Sequence, residues 1–85
     1  MKVVFTAAGR QDLAHWIKAD PRLAKRAARL IEDAARRPAE GIGHPEPLRG
    51  DLAGAWSRRI DAEHRLVYLV EEDHVVVLQA RYHYR

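Results

Sequence analysis

The side chains best suited to chemistry close the chain, in Arg81-Tyr82-His83-Tyr84-Arg85, after an apolar run, Val75-Val76-Val77-Leu78, that reads as a buried strand. Packing asks for nothing of this kind at a terminus. An imidazole moves a proton near neutral pH, guanidinium groups such as Arg81 hold phosphate, and rings such as Tyr82 stack on an unpaired base. These types suit RNA chemistry. Metal-free cleavage of RNA needs a base for the 2′-hydroxyl proton, an acid for the departing 5′-oxygen, and cations against charge on the phosphoryl oxygens. Glu46, His83 and Arg65 supply those three types. Each also has a structural reading: a glutamate in a Pro-Glu-Pro loop is a solvated turn residue, a terminal histidine is inert, and a strand arginine is a salt-bridge partner.

Other chemistries find less support. His15, His44, His64, His74 and His83 are scattered singly, without HExxH or H-x-E with paired cysteines, so no metal site is expected. Ser57, the only serine, has no Gly-x-Ser-x-Gly elbow around it. GxGxxG and Walker loops are absent, and no cofactor is expected.

A chain of 85 residues, 47% hydrophobic and 32% charged, is expected to form one soluble globular domain over residues 1–85. No apolar run approaches the roughly 20 residues that span a bilayer, and the N-terminus lacks a signal-peptide pattern. The lack of cysteine suits a cytoplasmic protein. Net charge is +3, but its distribution says more. Arg58, Arg59, Arg65, Arg81 and Arg85 all fall in the last third, so a localised positive field is expected there.

These groups must be held by a small set of elements. Lys2 to Thr6 reads as a strand, about Ala8 to Ala19 as a helix with Leu13, Trp16 and Ile17 at helical spacing, and Asp20-Pro21 as the start of a second. Leu23, Ala27, Leu30, Ile31 and Ala34 form one stripe of that helix, opposite a basic face, and Pro38 ends it. Pro38 to Leu48 reads as a loop. Ala55 to Ile60, Arg65 to Val70 and Val75 to Arg81 read as an antiparallel meander with short connections. The expected fold is α+β, in the order β-α-α-β-β-β: a small antiparallel-rich sheet with a two-helix hairpin on one face. Alternation puts Leu66, Tyr68 and Val70 opposite Arg65, Val67 and Leu69, and Trp56, Arg58 and Ile60 opposite Ser57 and Arg59. Which of Arg58 and Arg59 joins Arg65 on the free face stays open.

Four segments carry a family resemblance. Glu40-Gly41-Ile42-Gly43-His44-Pro45-Glu46-Pro47-Leu48, Gly54-Ala55-Trp56-Ser57-Arg58-Arg59-Ile60, Glu63-His64-Arg65-Leu66-Val67-Tyr68 and Arg81-Tyr82-His83-Tyr84 resemble, in order and spacing, the EGxGxPEPL, SGxWSRRI, EHRLVY and RYHY segments of YoeB-type toxins in the RelE superfamily. The chain departs from them at His44, where a basic residue such as lysine is common, at Ala55, where an aromatic is usual, and at the added Arg85.

The resemblance implies a RelE-like fold and the toxin of a bacterial type II toxin–antitoxin pair, a ribosome-dependent endoribonuclease that cuts mRNA in the A site and so inhibits translation. It implies Glu46 as general base, His83 as general acid, Arg65 as the transition-state cation and Tyr84 as a group that places or stacks the substrate. Arg59, Arg81 and Tyr82 are the expected RNA-binding residues. Implied partners are a YefM-like antitoxin, the ribosome with its rRNA and A-site mRNA, operator DNA for the toxin–antitoxin complex, and a second copy in a homodimer. The rival expectations are a non-catalytic RNA- or protein-binding module and a ribosome-independent ribonuclease.

Overall fold

Thr6 starts the first helix because its hydroxyl can serve both neighbours at once. Its Oγ1 accepts from the Gly9 N–H at 3.0 Å and also lies 3.2 and 3.1 Å from the Val77 and Leu78 carbonyls. The cap therefore docks the helix start on the strand it must cover. In the computed structural model, which describes residues 1–82, β1 spans Lys2–Phe5 and α1 spans Ala7–Ala19. Asp20 then closes α1 and opens α2, Pro21–Arg36, accepting from the Arg22 and Leu23 N–H groups with Pro21 in the first turn. A one-residue junction leaves the helices no choice but to form a hairpin.

The strands that follow are β2 (Glu46–Pro47), β3 (Ala55–Arg59), β4 (Arg65–Val70) and β5 (His74–Gln79). They form one sheet in the order β1-β5-β4-β3-β2, with β1 parallel to β5 and the other pairs antiparallel. The α+β architecture and the meander are as expected. A strand is new: within the expected loop, Glu46 and Pro47 pair with Ser57 and Trp56 as an edge strand. Pro47 has no N–H to give, which confines such a strand to an edge, and Leu48 completes the pairing by donating to the Ala55 carbonyl at 2.9 Å. Strand β5 also ends at Gln79 rather than Arg81. The Ala80 N–H donates to the Asp12 carboxylate at 3.0 Å and its carbonyl accepts from Trp16 Nε1 at 2.7 Å, so α1 takes both groups from the ladder.

The core lies between the helices and one sheet face. Ala27, Leu30, Ile31 and Ala34 of α2 meet Leu66, Tyr68, Val75 and Val77, with Leu30, Leu66 and Tyr68 fully buried. Each such aliphatic side chain contributes about 1.5–3 kcal/mol through burial.

A charge sits inside this core. Arg58 is 0% exposed, on the helix-facing side of β3. Its Nε donates to Tyr68 Oη at 2.9 Å, Nη1 to Asp33 Oδ2 at 2.5 Å and the Ile42 carbonyl at 3.1 Å, and Nη2 to the Arg37 and Glu40 carbonyls at 2.6 and 2.8 Å. A guanidinium has five N–H groups, and these five bonds use them. Asp33 in turn accepts from Arg37 Nη2 at 2.9 Å and the Ile42 N–H at 3.0 Å, while Tyr68 Oη donates to the Pro38 carbonyl at 2.6 Å. The stretch from Arg37 to Ile42 is thus wrapped around one buried cation. Gly41 makes the wrap possible: its φ is +114°, and a Cβ there would come 1.9 Å from Asp33 Oδ2.

Hydrogen bonds from the Arg37 side chain, the Ile42 N–H and the Arg58 side chain hold the Asp33 carboxyl well below the usual carboxylate range. Such a carboxylate stabilises the fold fully above its ordinary value of 3.8, and this contribution fades as pH falls below it. Urea midpoints followed from pH 7 to pH 3 should therefore fall below about pH 4 in the wild type. Asp33→Asn should start lower at pH 7 and change less on acidification. Arg58→Ala, which strands Asp33 without its buried partner, should cost about 3–5 kcal/mol at pH 7. An Arg58→Ala protein as stable as the wild type would refute the role given to this cation.

Candidate active site

Directly opposed residues in an antiparallel pair share a sheet face, and this rule assembles the candidate site. Glu46 is opposite Ser57, and Ser57 is opposite Val67. Two residues along β3, Arg59 is opposite Arg65. Glu46, Arg59 and Arg65 therefore lie on the same face, away from the helices. Arg59 is the arginine that joins Arg65, because Arg58 points into the core. Two strand spacings across and two residues along place the Glu46 and Arg65 backbones roughly 12 Å apart. That leaves room for a phosphodiester between two long side chains.

Glu46 is exposed between its two prolines and lines a groove of about 570 Å³ with Pro47, Leu48 and Arg49. Its position depends on the buried Arg58 through the intervening chain: past the wrapped segment, the Gly43 carbonyl accepts from the Arg59 N–H at 2.7 Å, and β2 follows. The opposite wall is set by the β3–β4 turn. Asp61 Oδ1 accepts from the Glu63 and His64 N–H groups at 2.9 and 2.7 Å, a side-chain turn that suits Asp at this position. Burial works to raise the Asp61 carboxyl, but those two N–H groups and the charge of Arg65 bring it below its ordinary value. Arg65 Nη1 donates to the Asp61 carbonyl at 3.1 Å.

Electrostatically the arginine pair is unusual. Like charges directly opposed across two strands destabilise a sheet by about 0.2–1 kcal/mol. Among the described residues no carboxylate lies within 4 Å of either guanidinium. A polyanion would relieve this pair.

Arg81 and Tyr82 approach the same region. The Tyr82 carbonyl accepts from the Arg65 N–H at 2.8 Å, so Tyr82 borders Arg65. The Arg81 guanidinium lies 4.7 Å from the Tyr82 ring centroid and 5.9 Å from that of Trp16. His83, Tyr84 and Arg85 lie outside the described residues. The structure thus brings Glu46, Arg59, Arg65 and Tyr82 toward one region, with Arg81 between Tyr82 and the Trp16 ring. Sequence reasoning missed His64, which is buried and holds the Tyr82 backbone, and it missed the Asp33–Arg58 pair. An acidic residue one turn before Arg37, in an otherwise basic helix end, was the available signal for Asp33.

A helical hairpin on one face of a mixed five-stranded sheet is the fold of RelE-like toxins, and solved toxins of that class share it. The family model for the YoeB-like toxin of bacterial type II toxin–antitoxin systems matches residues 5–84, and the chain belongs to that family. It is 55% identical to the toxin YoeB of Streptomyces coelicolor over 84 residues, which is 99% of this chain and 100% of that protein. A YoeB/ParE toxin from Agrobacterium tumefaciens superposes with a TM-score of 0.95 at 46% identity, covering 99% of this chain and 100% of that one. The Staphylococcus aureus YoeB, solved as a dimer and in a heterotetrameric complex with YefM, gives TM-scores of 0.90 and 0.89 at 36% identity, covering 99% of this chain and 98% of that one.

The opposed arginines make a prediction in which stability and binding diverge. Arg59→Gln should leave thermal stability unchanged or raise it by up to about 1 kcal/mol. The same change should weaken RNA binding and lower the slope of log affinity against log salt by about 1. Thermal melts and salt-titrated binding to single-stranded RNA measure the two effects. A variant that is less stable and binds RNA with an unaltered salt slope would count against the arginine pair as a phosphate site.

Proposed function

We propose that this toxin is a ribosome-dependent endoribonuclease that cuts mRNA in the A site and thereby inhibits translation. The carrying observation is the opposed Arg59–Arg65 pair, without a carboxylate within 4 Å among the described residues, on the same sheet face as Glu46. Family membership supports the same reading. In the proposed reaction Glu46 accepts the 2′-hydroxyl proton, and the 2′-oxygen attacks the adjacent phosphorus. The bond to the 5′-oxygen breaks as His83 donates a proton to it, leaving a cyclic phosphate and a 5′-hydroxyl. Arg65 balances charge on the phosphoryl oxygens, Tyr84 places the substrate, and Arg59, Arg81 and Tyr82 hold the RNA.

The reading extends to partners. The Staphylococcus aureus relative is solved with YefM and as a dimer, which supports a YefM-like antitoxin and self-association for this chain. Operator DNA bound by the toxin–antitoxin complex completes the proposed set. A substrate on translating ribosomes puts the protein in the cytoplasm, and no helix among the described residues is long and apolar enough to cross a membrane.

Purified protein incubated with programmed ribosomes and with naked mRNA tests the proposal. Cleavage should fall within the A-site codon and occur far faster on ribosomes. Glu46→Ala and His83→Ala should each slow it by about 10² or more. Equal cleavage of naked RNA would remove ribosome dependence. No cleavage on ribosomes, with wild type and both variants equally harmless in cells lacking antitoxin, would instead favour a non-catalytic binding module.

A further inference from the structure

Beside the arginine pair lies another cavity, of about 590 Å³, with Arg26, Ile42, His44, Arg59, Ile60 and Asp61 in its lining. Its size falls in the range of small-ligand pockets, about 300–1,000 Å³. It opens where α2, the segment before β2 and the β3–β4 turn meet, and each element contributes a different chemistry. Ile42 and Ile60 give apolar surface. Arg26, on α2, gives a cation. One of its N–H groups donates to the Arg59 carbonyl at 3.4 Å, and among the described residues no carboxylate lies within 4 Å of its guanidinium. His44 gives an exposed ring on backbone with φ 55°, a conformation uncommon outside glycine. The Gly43 carbonyl just before it accepts from the Arg59 N–H at 2.7 Å, which ties this backbone to β3. Asp61 gives an acceptor. Its Oδ1 is taken by the Glu63 and His64 N–H groups, while Oδ2 is bonded to none of the described residues.

These are the parts that hold an unstacked nucleotide. A base covers apolar surface and a ring, a phosphate meets a guanidinium, and a carboxylate accepts from an exocyclic amino group. We propose that the cavity is a nucleotide subsite for the RNA strand that crosses the Arg59–Arg65 pair. The base lies against Ile42, Ile60 and His44, its phosphate meets Arg26, and its exocyclic amino group donates to Asp61. Arg59 belongs to both places, since it lines the cavity and stands opposite Arg65. A strand lying on the pair therefore leads into the cavity, and the subsite rests on that reading of the pair as an RNA contact. Asp61 makes the subsite selective. Cytosine presents an amino group where uracil presents a carbonyl, and a carboxylate accepts from the first and repels the second. An acidic peptide would meet the same cations but would set its own carboxylates against Asp61.

The test titrates cytidine 5′-monophosphate, uridine 5′-monophosphate and an oligoglutamate peptide into the protein, with the Ile42 and Ile60 methyl resonances as local reporters. The cytidine nucleotide should shift both methyls saturably, and the uridine nucleotide should bind about fivefold more weakly or worse. Asp61→Asn keeps an oxygen for the turn but offers the base an amide N–H in place of an acceptor. It should bring the uridine nucleotide level with the cytidine nucleotide or ahead of it. Arg26→Gln should weaken both by about fivefold or more. Equal wild-type affinity for the two nucleotides, or no methyl shift with either, would overturn the subsite. Shifts produced by oligoglutamate alone would also overturn it and assign the cavity to a protein partner. Cleavage on programmed ribosomes, run beside the titrations, separates the two readings. Wild-type protein that cuts mRNA but shows no base-selective shift loses the subsite and keeps the nuclease. Base-selective shifts in a protein that cuts no RNA keep the subsite and overturn the nuclease.

Discussion

The structure depends on a buried cation satisfied at every donor. Desolvating a guanidinium costs several kcal/mol, and only close, well-aligned partners offset that cost. Arg58 obtains them from Asp33, Tyr68 and three carbonyls of the segment between α2 and β2. This reverses the usual relation between loop and core. The loop is ordered because its carbonyls solvate a charge that water cannot reach, and loss of the loop would leave three of the five N–H groups of that charge without partners. An apolar residue at position 58 could fill the volume but could not direct those carbonyls. The rigidity is then passed to β2, a strand of two residues that could hardly hold its place alone.

A second constraint acts at the other end of the sheet. Strand β5 carries β1 on one side and β4 on the other, and the residue just past its end, Ala80, is taken over by α1 through Asp12 and Trp16. Helix α1 buries little apolar surface of its own, with Gly9, Asp12 and Trp16 as its buried residues. Much of its attachment is therefore polar and directional: the Thr6 cap on the Val77 and Leu78 carbonyls, and the Asp12 and Trp16 bonds to Ala80. Hydrophobic contacts tolerate sliding, whereas these bonds set a register. The segment leading to Tyr82 is thus directed toward Arg65 by the same contacts that fasten a helix.

Much of this was legible in order. The boundaries of the second helix followed from Asp20, Pro21 and Pro38, whose local chemistry admits few alternatives, whereas Thr6 read as the end of a strand and proved to be the cap of α1. The meander followed from alternation and short turns, because side-chain period and connection length are local properties. Strand β2 was not legible, since two residues flanked by prolines carry no periodicity and become a strand only when β3 supplies a partner. The assignment of Arg58 and Arg59 was undecidable for a related reason. Adjacent strand residues point to opposite faces, and which face is covered is settled by where the helices pack. His64 looked like a turn residue, because nothing local reveals that a backbone N–H from eighteen positions away would approach its ring.

The sequence by itself determined the element types, the basic character of the last third and the residue types available for proton transfer. All of these depend on side-chain chemistry and near-neighbour spacing. Only the tertiary structure decided that Glu46, Arg59 and Arg65 share a face, that Arg58 is spent on holding a loop, and that His64 and Arg65 together grip Tyr82. Those relations link residues far apart in the chain, and strand pairing and the close-packed core set them together. No single segment contains the distances that make a site.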